Sequence, residues 1–167
     1  MTTVKALKPV AVLIGRQKWM PKLLPQIVAT DRFLVRVSGG RLTLPSIGGL
    51  PVLFLHVVGR KSGIERSTPL VYSPYDGRYL IAGSNFGGEK PPVWVFNLEA
   101  NPEAKVVVRG RTIPVKARIV EGEERARMWE SLVETWPNYA LYEKRTDRRI
   151  KVFVLEPTTT TRATAGP

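Results

Sequence analysis

Hydrophobic positions along this chain change period twice. Over residues 6–38 they recur at helical spacing, with Leu24, Ile27, Val28, Leu34 and Val37 as a stripe, which predicts a helix in two pieces, broken near Pro21 and Pro25 and stopped at Gly39-Gly40. Pro45, Gly48, Gly49 and Pro51 predict a linker. From Val52 the pattern becomes that of short strands: "VLFLHVV" predicts a continuous buried strand, and "TPLVYS" and "RYLIAGS", divided by a "YDG" turn, complete a three-strand meander. "PPVWVFNLEANPEA" predicts a short helix, with Pro91-Pro92 at its first turn and Asn101-Pro102 at its end. "KVVVRGRTIPVKARIV" predicts a hairpin around Arg109-Gly110-Arg111, with Ile113, Val115, Ala117 and Ile119 inward and Lys116 and Arg118 outward.

Helical spacing returns with Trp129, Leu132, Val133 and Trp136, behind Glu123-Glu124, two acids placed where the helix dipole favours them. Pro137 ends that helix, a further turn puts Tyr139 and Tyr142 on one face, and "KVFVLEP" supplies the last strand. About six short strands joined mostly by hairpins favour a small, mainly β barrel with flanking helices over a doubly wound sheet, and no glycine-rich dinucleotide or phosphate-loop pattern argues otherwise. The expected organisation is a basic helical extension over 1–50, a barrel domain over 51–157 and a disordered Thr-rich tail over 158–167.

Composition narrows the chemistry. The 167 residues, 43% hydrophobic, suffice for one domain with a core. There is no cysteine and a single histidine, His56, so thiolate and histidine metal sites and cysteine nucleophiles are excluded, and any chemistry falls to an organic cofactor or to oxygen and nitrogen groups. His56, inside an apolar run, reads as a strand residue. No apolar run reaches the roughly 20 residues of a membrane span, and "PVAVLIG" lacks a small-residue cleavage site, so the expected location is the cytosol.

The net charge of +12 implies an anionic partner. Residues 1–50 hold eight Lys or Arg against Asp31, and Lys144, Arg145, Arg148, Arg149 and Lys151 form a second cluster that also reads as a solvated face. A third group lies in "VVGRKSGIERSTPL" (57–70), where Gly59 and Gly63 free the backbone to approach a ligand while Arg60, Lys61 and Arg66 supply phosphate- and carboxylate-binding groups. "AGSNFGGEKPPVW" (82–94) ends a strand in small residues and enters a helix, a setting that offers backbone N–H groups to an anion or a polarised carbonyl. "WPNYALY" (136–142) carries hydroxyl-bearing aromatics suited to lid an aromatic pocket.

Taken in order and spacing, "GRKSG…RSTPL", "DGRYLIAGSNFGGEKPPVWVFNLEANP", "VEGEERARMWESLVETWPNYALYEKRTDR" and "VFVLEP" resemble the deazaflavin-dependent nitroreductase family of actinobacteria, over about residues 50–157. The resemblance implies a split β-barrel of the flavin-binding, pyridoxamine-phosphate-oxidase-like kind. It also implies coenzyme F-420, an 8-hydroxy-5-deazaflavin with a polyanionic phosphate and oligoglutamate tail. By residue matching, Arg60 and Lys61 take the tail, and Arg66 follows with Ser67, Thr68 and Pro69 along the ring. Ala82, Ser84, Asn85, Gly87 and Gly88 line the deazaflavin, and Trp94 and Asn97 support it. Val71, Trp136, Tyr139 and Tyr142 fall on the substrate side, and Ser84, Tyr139 and Tyr142 are the expected catalytic groups. Phe86 stands where relatives commonly carry glycine, and Val71 where nitroimidazole-reducing members carry tyrosine.

The implied activity is hydride transfer from reduced F-420 to a small, lipophilic acceptor: a quinone, enone or nitro compound. The basic extension adds an expectation of peripheral attachment to an anionic membrane at the inner face of the cell membrane. Two alternatives stay open: a non-catalytic cofactor or lipid carrier on the same fold, and an FMN-dependent oxidoreductase. A nucleic-acid-binding barrel would account for the charge, but the cations are not interleaved with exposed aromatics along a strand face.

Overall fold

The computed structural model describes residues 9, 12–13, 16–17, 24–37, 43–47 and 49–158. The helices α1 (Leu24–Val37) and α2 (Leu44–Ile47) precede the strands, and residues 9, 12 and 13 are helical as well. Pro25 lies within the first turn of α1 and does not break it, because a first-turn residue has no helical acceptor for an N–H in any case. Val37, expected on the inward stripe, is 62% exposed, and Phe33 one turn earlier is 63% exposed. The expected linker contains one helical turn, α2, opened by a reciprocal cap: the Thr43 N–H donates to Ser46 Oγ at 2.9 Å and the Ser46 N–H to Thr43 Oγ1 at 3.1 Å. The stop at Gly39-Gly40, the break at Pro21 and the tail from 159 onward lie outside the described residues.

Seven strands form one antiparallel sheet: β1 (Val52–Val58), β2 (Glu65–Val71), β3 (Ser73–Tyr75), β4 (Arg78–Ala82), β5 (Glu103–Val108), β6 (Arg111–Ile119) and β7 (Val152–Pro157), in the order β2-β1-β5-β6-β7-β4-β3. The expected meander is corrected here. "TPLVYS" is divided at Tyr72, its first half pairing with β1 (Val52 opposite Val71) and its second with β4 (Ser73 opposite Leu80). The two edge strands of the sheet, β2 and β3, are therefore consecutive in sequence. Their junction curls the sheet into a barrel that touches at Tyr72, whose N–H donates to the Pro51 carbonyl at 3.1 Å, and stays open beyond it. Carried on two residues, the β3–β4 register sets Val71 opposite Ala82. Below that point β2 turns to β1 and the chain after β4 turns to β7, which leaves a split.

β1 departs from the expected continuous burial. Leu53, Leu55 and Val57 are buried and alternate with half-buried Val52, Phe54 and His56, as befits a strand covered on one face. β7 is buried on both faces. Phe153 and Leu155 join the barrel interior with Leu53, Leu55, Ile81 and Trp94, while Val152 and Val154 join an outer cluster with Leu80 and Ala82. That outer cluster is covered by α4 (Gly122–Thr135) and α5 (Asn138–Glu143), which contribute Met128, Leu132, Tyr139 and Tyr142. The short helix α3 (Val93–Ala100) packs Trp94, Val95 and Leu98 into the barrel interior, opposite the outer cluster.

Candidate functional site

The charged loop between β1 and β2 is closed on itself and fixed to α3. The Gly59 N–H donates to the Ile64 carbonyl at 2.9 Å and the Gly63 N–H to the Gly59 carbonyl at 2.8 Å. A Cβ at Gly59 would stand 3.2 Å from the Ile64 carbonyl and 2.6 Å from Ser62 Oγ, which would have to rotate away, so the loop is closely packed at this glycine. From α3, buried Asn97 accepts the Arg60 N–H at 3.2 Å, and Asn101 donates to the Val58 carbonyl at 3.1 Å. The Arg60 guanidinium lies 4.9 Å over the Phe96 ring.

Arg60, Lys61 and Arg66 are exposed, and among the described residues none is in a salt bridge; the nearby Glu65 is engaged by His56 at 3.4 Å and Lys105 at 3.5 Å. Beyond the loop, exposed Ser67 and half-buried Thr68 and Pro69 lie on β2, an edge strand paired only with β1. Proline is tolerated there because an edge strand has a side with no ladder to break.

The loop after β4 forms the other lip of the split. Ala82, Ser84 and Gly87 are buried, and Asn85, Phe86 and Gly87 adopt positive φ of 46°, 56° and 80° in succession. Such a run is unfavourable for non-glycine residues, by roughly 1–2 kcal/mol each, and persists only when surroundings impose it. Three contacts do so here. Asn85 Nδ2 donates to the Lys90 carbonyl at 2.9 Å; Gly87 sits against the end of α5, where a Cβ would meet the Tyr142 carbonyl at 2.7 Å; and Phe86 packs on Tyr142 with ring centroids 5.7 Å apart. Arg148 adds a fork of hydrogen bonds to the carbonyls of Gly83 (3.0 Å), Ser84 (2.7 Å) and Gly88 (2.9 Å). No internal partner takes up the Ser84 hydroxyl among the described residues.

Trp94 is placed inside the barrel, its ring 5.7 Å from that of Phe153. Val71, Trp136, Tyr139 and Tyr142 come together with Ala82 and Phe86 in one cluster. Tyr139 and Tyr142 meet edge to face at 6.1 Å and are both buried. Burial raises both phenols above the ordinary tyrosine value, most strongly that of Tyr139, which neighbouring Tyr142 pushes further; for Tyr142 the rise is opposed by hydrogen-bonding contact with Trp136 and Asn138 and by the Arg145 charge. Among the described residues the Tyr142 hydroxyl and Asn138 Oδ1 are buried without a well-formed hydrogen bond. The basic extension reaches this cluster: Val12 packs against it, Asn138 Nδ2 donates to the Val12 carbonyl at 3.0 Å, and Arg145 donates to the Arg16 carbonyl at 3.0 Å.

Sequence reasoning missed Arg148, Asn138 and the docking residues Phe96 and Asn101. Arg148 is indistinguishable by type from its basic neighbours in 144–151, and no periodicity sets Asn138 apart. Unpaired cations on a fixed loop and an open strand edge match, in their chemistry, a long anionic cofactor with a planar head. The family model of the F420H(2)-dependent quinone reductases matches residues 28–157.

The chain belongs to the F420H(2)-dependent quinone reductase family. It is therefore an oxidoreductase whose coenzyme is F-420. An F420H(2)-dependent quinone reductase of Mycobacterium tuberculosis (strain H37Rv) is 34% identical over 133 residues, covering 78% of this chain and 89% of the relative. Among solved structures, one described as an F420-H2 dependent reductase matches with 40% identity and a TM-score of 0.60, over 64% of this chain and 94% of the other. A second, described as a domain-swapped dimer, matches with 37% identity and a TM-score of 0.62, over 77% and 94%. Membership in the quinone reductase family bears out both the split barrel and the deazaflavin cofactor that the sequence implied.

Proposed function

We propose that this quinone reductase family member holds the anionic tail of F-420 on Arg60, Lys61 and Arg66 and reduces a small lipophilic acceptor, a quinone in preference to a nitroimidazole, against Tyr139 and Tyr142. The observation that carries the reading is the pairing of three unpaired exposed cations with a loop rigidly docked on α3. A free, mobile loop would lose ordering entropy on binding; one already fixed by Asn97 and Asn101 loses less. When bound, reduced F-420 supplies a hydride from carbon 5.

The protein's part is position and electrostatics. Ser67, Thr68 and Pro69 on the β2 edge and Ala82, Ser84, Asn85, Gly87 and Gly88 across the split flank the ring. Trp94 and Asn97 fix α3 beneath the tail loop. Ser84 offers a hydroxyl that the fold leaves unengaged, and the raised phenols of Tyr139 and Tyr142 keep their protons at neutral pH, as a proton donor to a reduced acceptor must. Val71 brings no hydroxyl to the acceptor side, and this supports quinone over nitroimidazole.

The double substitution of Arg60 and Lys61 by Ala tests the tail clamp. Its dissociation constant for F-420 should rise roughly 10² or more, at about 1.5–3 kcal/mol per charge-assisted contact less solvent screening. Affinity for a tail-less deazaflavin and the melting temperature should barely change. Equal weakening for both ligands, or for neither, sinks the clamp.

A second reading concerns α1. Phe33 and Val37, one helical turn apart, are exposed beside exposed Arg36, in a segment (1–50) carrying eight cations against one acid. That pairing of apolar and basic groups supports peripheral contact with an anionic membrane surface at the inner leaflet, where a lipophilic quinone would be met. No described helix is long and apolar enough to cross a membrane.

A further inference from the structure

We propose that Arg148 is the positioning residue of the ring-binding loop: by holding the carbonyls of Gly83, Ser84 and Gly88 it turns the Ser84 and Asn85 amide N–H groups into the split, as a preformed donor pair for an electron-rich carbonyl oxygen of the deazaflavin ring. The inference rests on the deazaflavin reading above. The peptide bonds of this loop are trans, so each N–H points opposite to the carbonyl of its own peptide group. The Gly83 carbonyl shares a peptide group with the Ser84 N–H, and the Ser84 carbonyl with the Asn85 N–H. Both carbonyls are taken by Arg148, at 3.0 and 2.7 Å.

The direction follows from strand order. Arg148 precedes β7, which borders β4 on one side, while β3 and the split lie on the other. The Gly83 N–H also goes to the β7 side, to the Lys151 carbonyl at 2.9 Å. Ser84 and Asn85 N–H groups thus face the β3 side, and neither has a hydrogen-bond partner among the described residues. The adjoining Gly87 and Gly88 N–H groups are satisfied inside the loop, by the Ser84 carbonyl at 2.9 Å and the Asn85 carbonyl at 2.8 Å, so the free pair is distinct from the loop's own bonding.

A guanidinium suits this task for a geometric reason. Its planar fork reaches three carbonyls at once from Nε and both terminal nitrogens, and its charge polarises the two peptide groups so that their N–H ends become better donors. A lysine would supply the charge without the fork. The left-handed run Asn85-Phe86-Gly87 is then held from both ends, by Arg148 at Ser84 and Gly88 and by Tyr142 against Gly87.

Arg148→Ala and Arg148→Lys test this in the full-length protein. Without cofactor, hydrogen exchange at the Gly87 and Gly88 amides should speed up in both variants while exchange in β1, β5 and β6 is unchanged. Affinity for a tail-less deazaflavin should fall roughly 10- to 100-fold in the Ala variant, the size of one or two charge-assisted hydrogen bonds, with the Lys variant closer to Ala than to wild type. Millimolar guanidinium should restore part of the ring affinity of the Ala variant. Unchanged exchange, unchanged ring affinity, or full function in Arg148→Lys each overturns the proposal. A wild-type protein that binds neither F-420 nor the ring overturns the deazaflavin reading instead, and the exchange rates still decide whether Arg148 orders the loop.

Discussion

Tyr142 carries a hydroxyl that is buried, 2% exposed, and makes no well-formed hydrogen bond among the described residues, with only the neighbouring Trp136 and Asn138 side chains near it. Left so weakly bonded, a buried hydroxyl costs up to about 1–3 kcal/mol, which an acceptor bound against it would recover. Tyr142→Phe is expected to leave the melting temperature unchanged or raised, while kcat for menadione with reduced F-420 falls roughly 100-fold or more, in the range of a lost proton donor. Thermal melts and steady-state turnover on the same preparation read both. A stability loss with unaffected turnover would mark Tyr142 as a core residue only. At this scale the sequence was informative for residue type and silent on pairing. The charges of Arg60, Lys61 and Arg66 are plain in "GRKSGIER", but that Glu65 is occupied by His56 and Lys105, leaving those three free, depends on the β1–β2 and β1–β5 registers.

Among the elements, the β5–β6 hairpin is closed by Arg109-Gly110 with φ of 50° and 78°, the positive pair of a two-residue type I′ turn. Arginine tolerates that region poorly and asparagine well, so Arg109→Asn should stabilise the protein by about 0.5–1 kcal/mol, seen as a higher midpoint in urea with unchanged slope. The hairpin was legible because Arg-Gly-Arg interrupts two alternating strands. α4 is tied to the sheet by Arg118, which grips Glu124 through both terminal nitrogens at 2.7 and 2.8 Å and reaches Glu156 at 3.1 Å. The Arg118 hydrogen bond holds the Glu124 carboxyl below its ordinary value. A depressed folded-state pKa gives stability present above the unfolded value, near pH 4.3, and lost as pH falls through the folded one. Melting temperature should therefore drop on acidification below about pH 4.3, less steeply in Glu124→Gln. Identical acid limbs would show the pair to be inert.

For the whole molecule, the +12 charge has two candidate addresses, the cofactor tail and a membrane surface. They separate by experiment. Wild-type protein should co-sediment with vesicles containing phosphatidylglycerol and not with neutral phosphatidylcholine vesicles, and Phe33→Glu with Val37→Glu should abolish this without altering F-420 affinity. Equal sedimentation of the double variant, or none by wild type, removes the membrane reading and leaves the charge to the tail.

The sequence by itself determined most of the element types, the mainly β class and the anionic character of the coenzyme. Local rules govern all three: glycines and prolines mark turns, alternation marks strands, and a cationic glycine loop advertises an anion. It could not determine that "TPLVYS" is two strands with partners at opposite edges of the sheet, because pairing between β4 and β7 or β1 and β5 is a long-range choice that no window of sequence contains. Nor could it single out Arg148 from its basic neighbours. Only tertiary structure decided where the split opens and which cation holds its far lip, because each depends on residues roughly sixty positions apart meeting across a curled sheet.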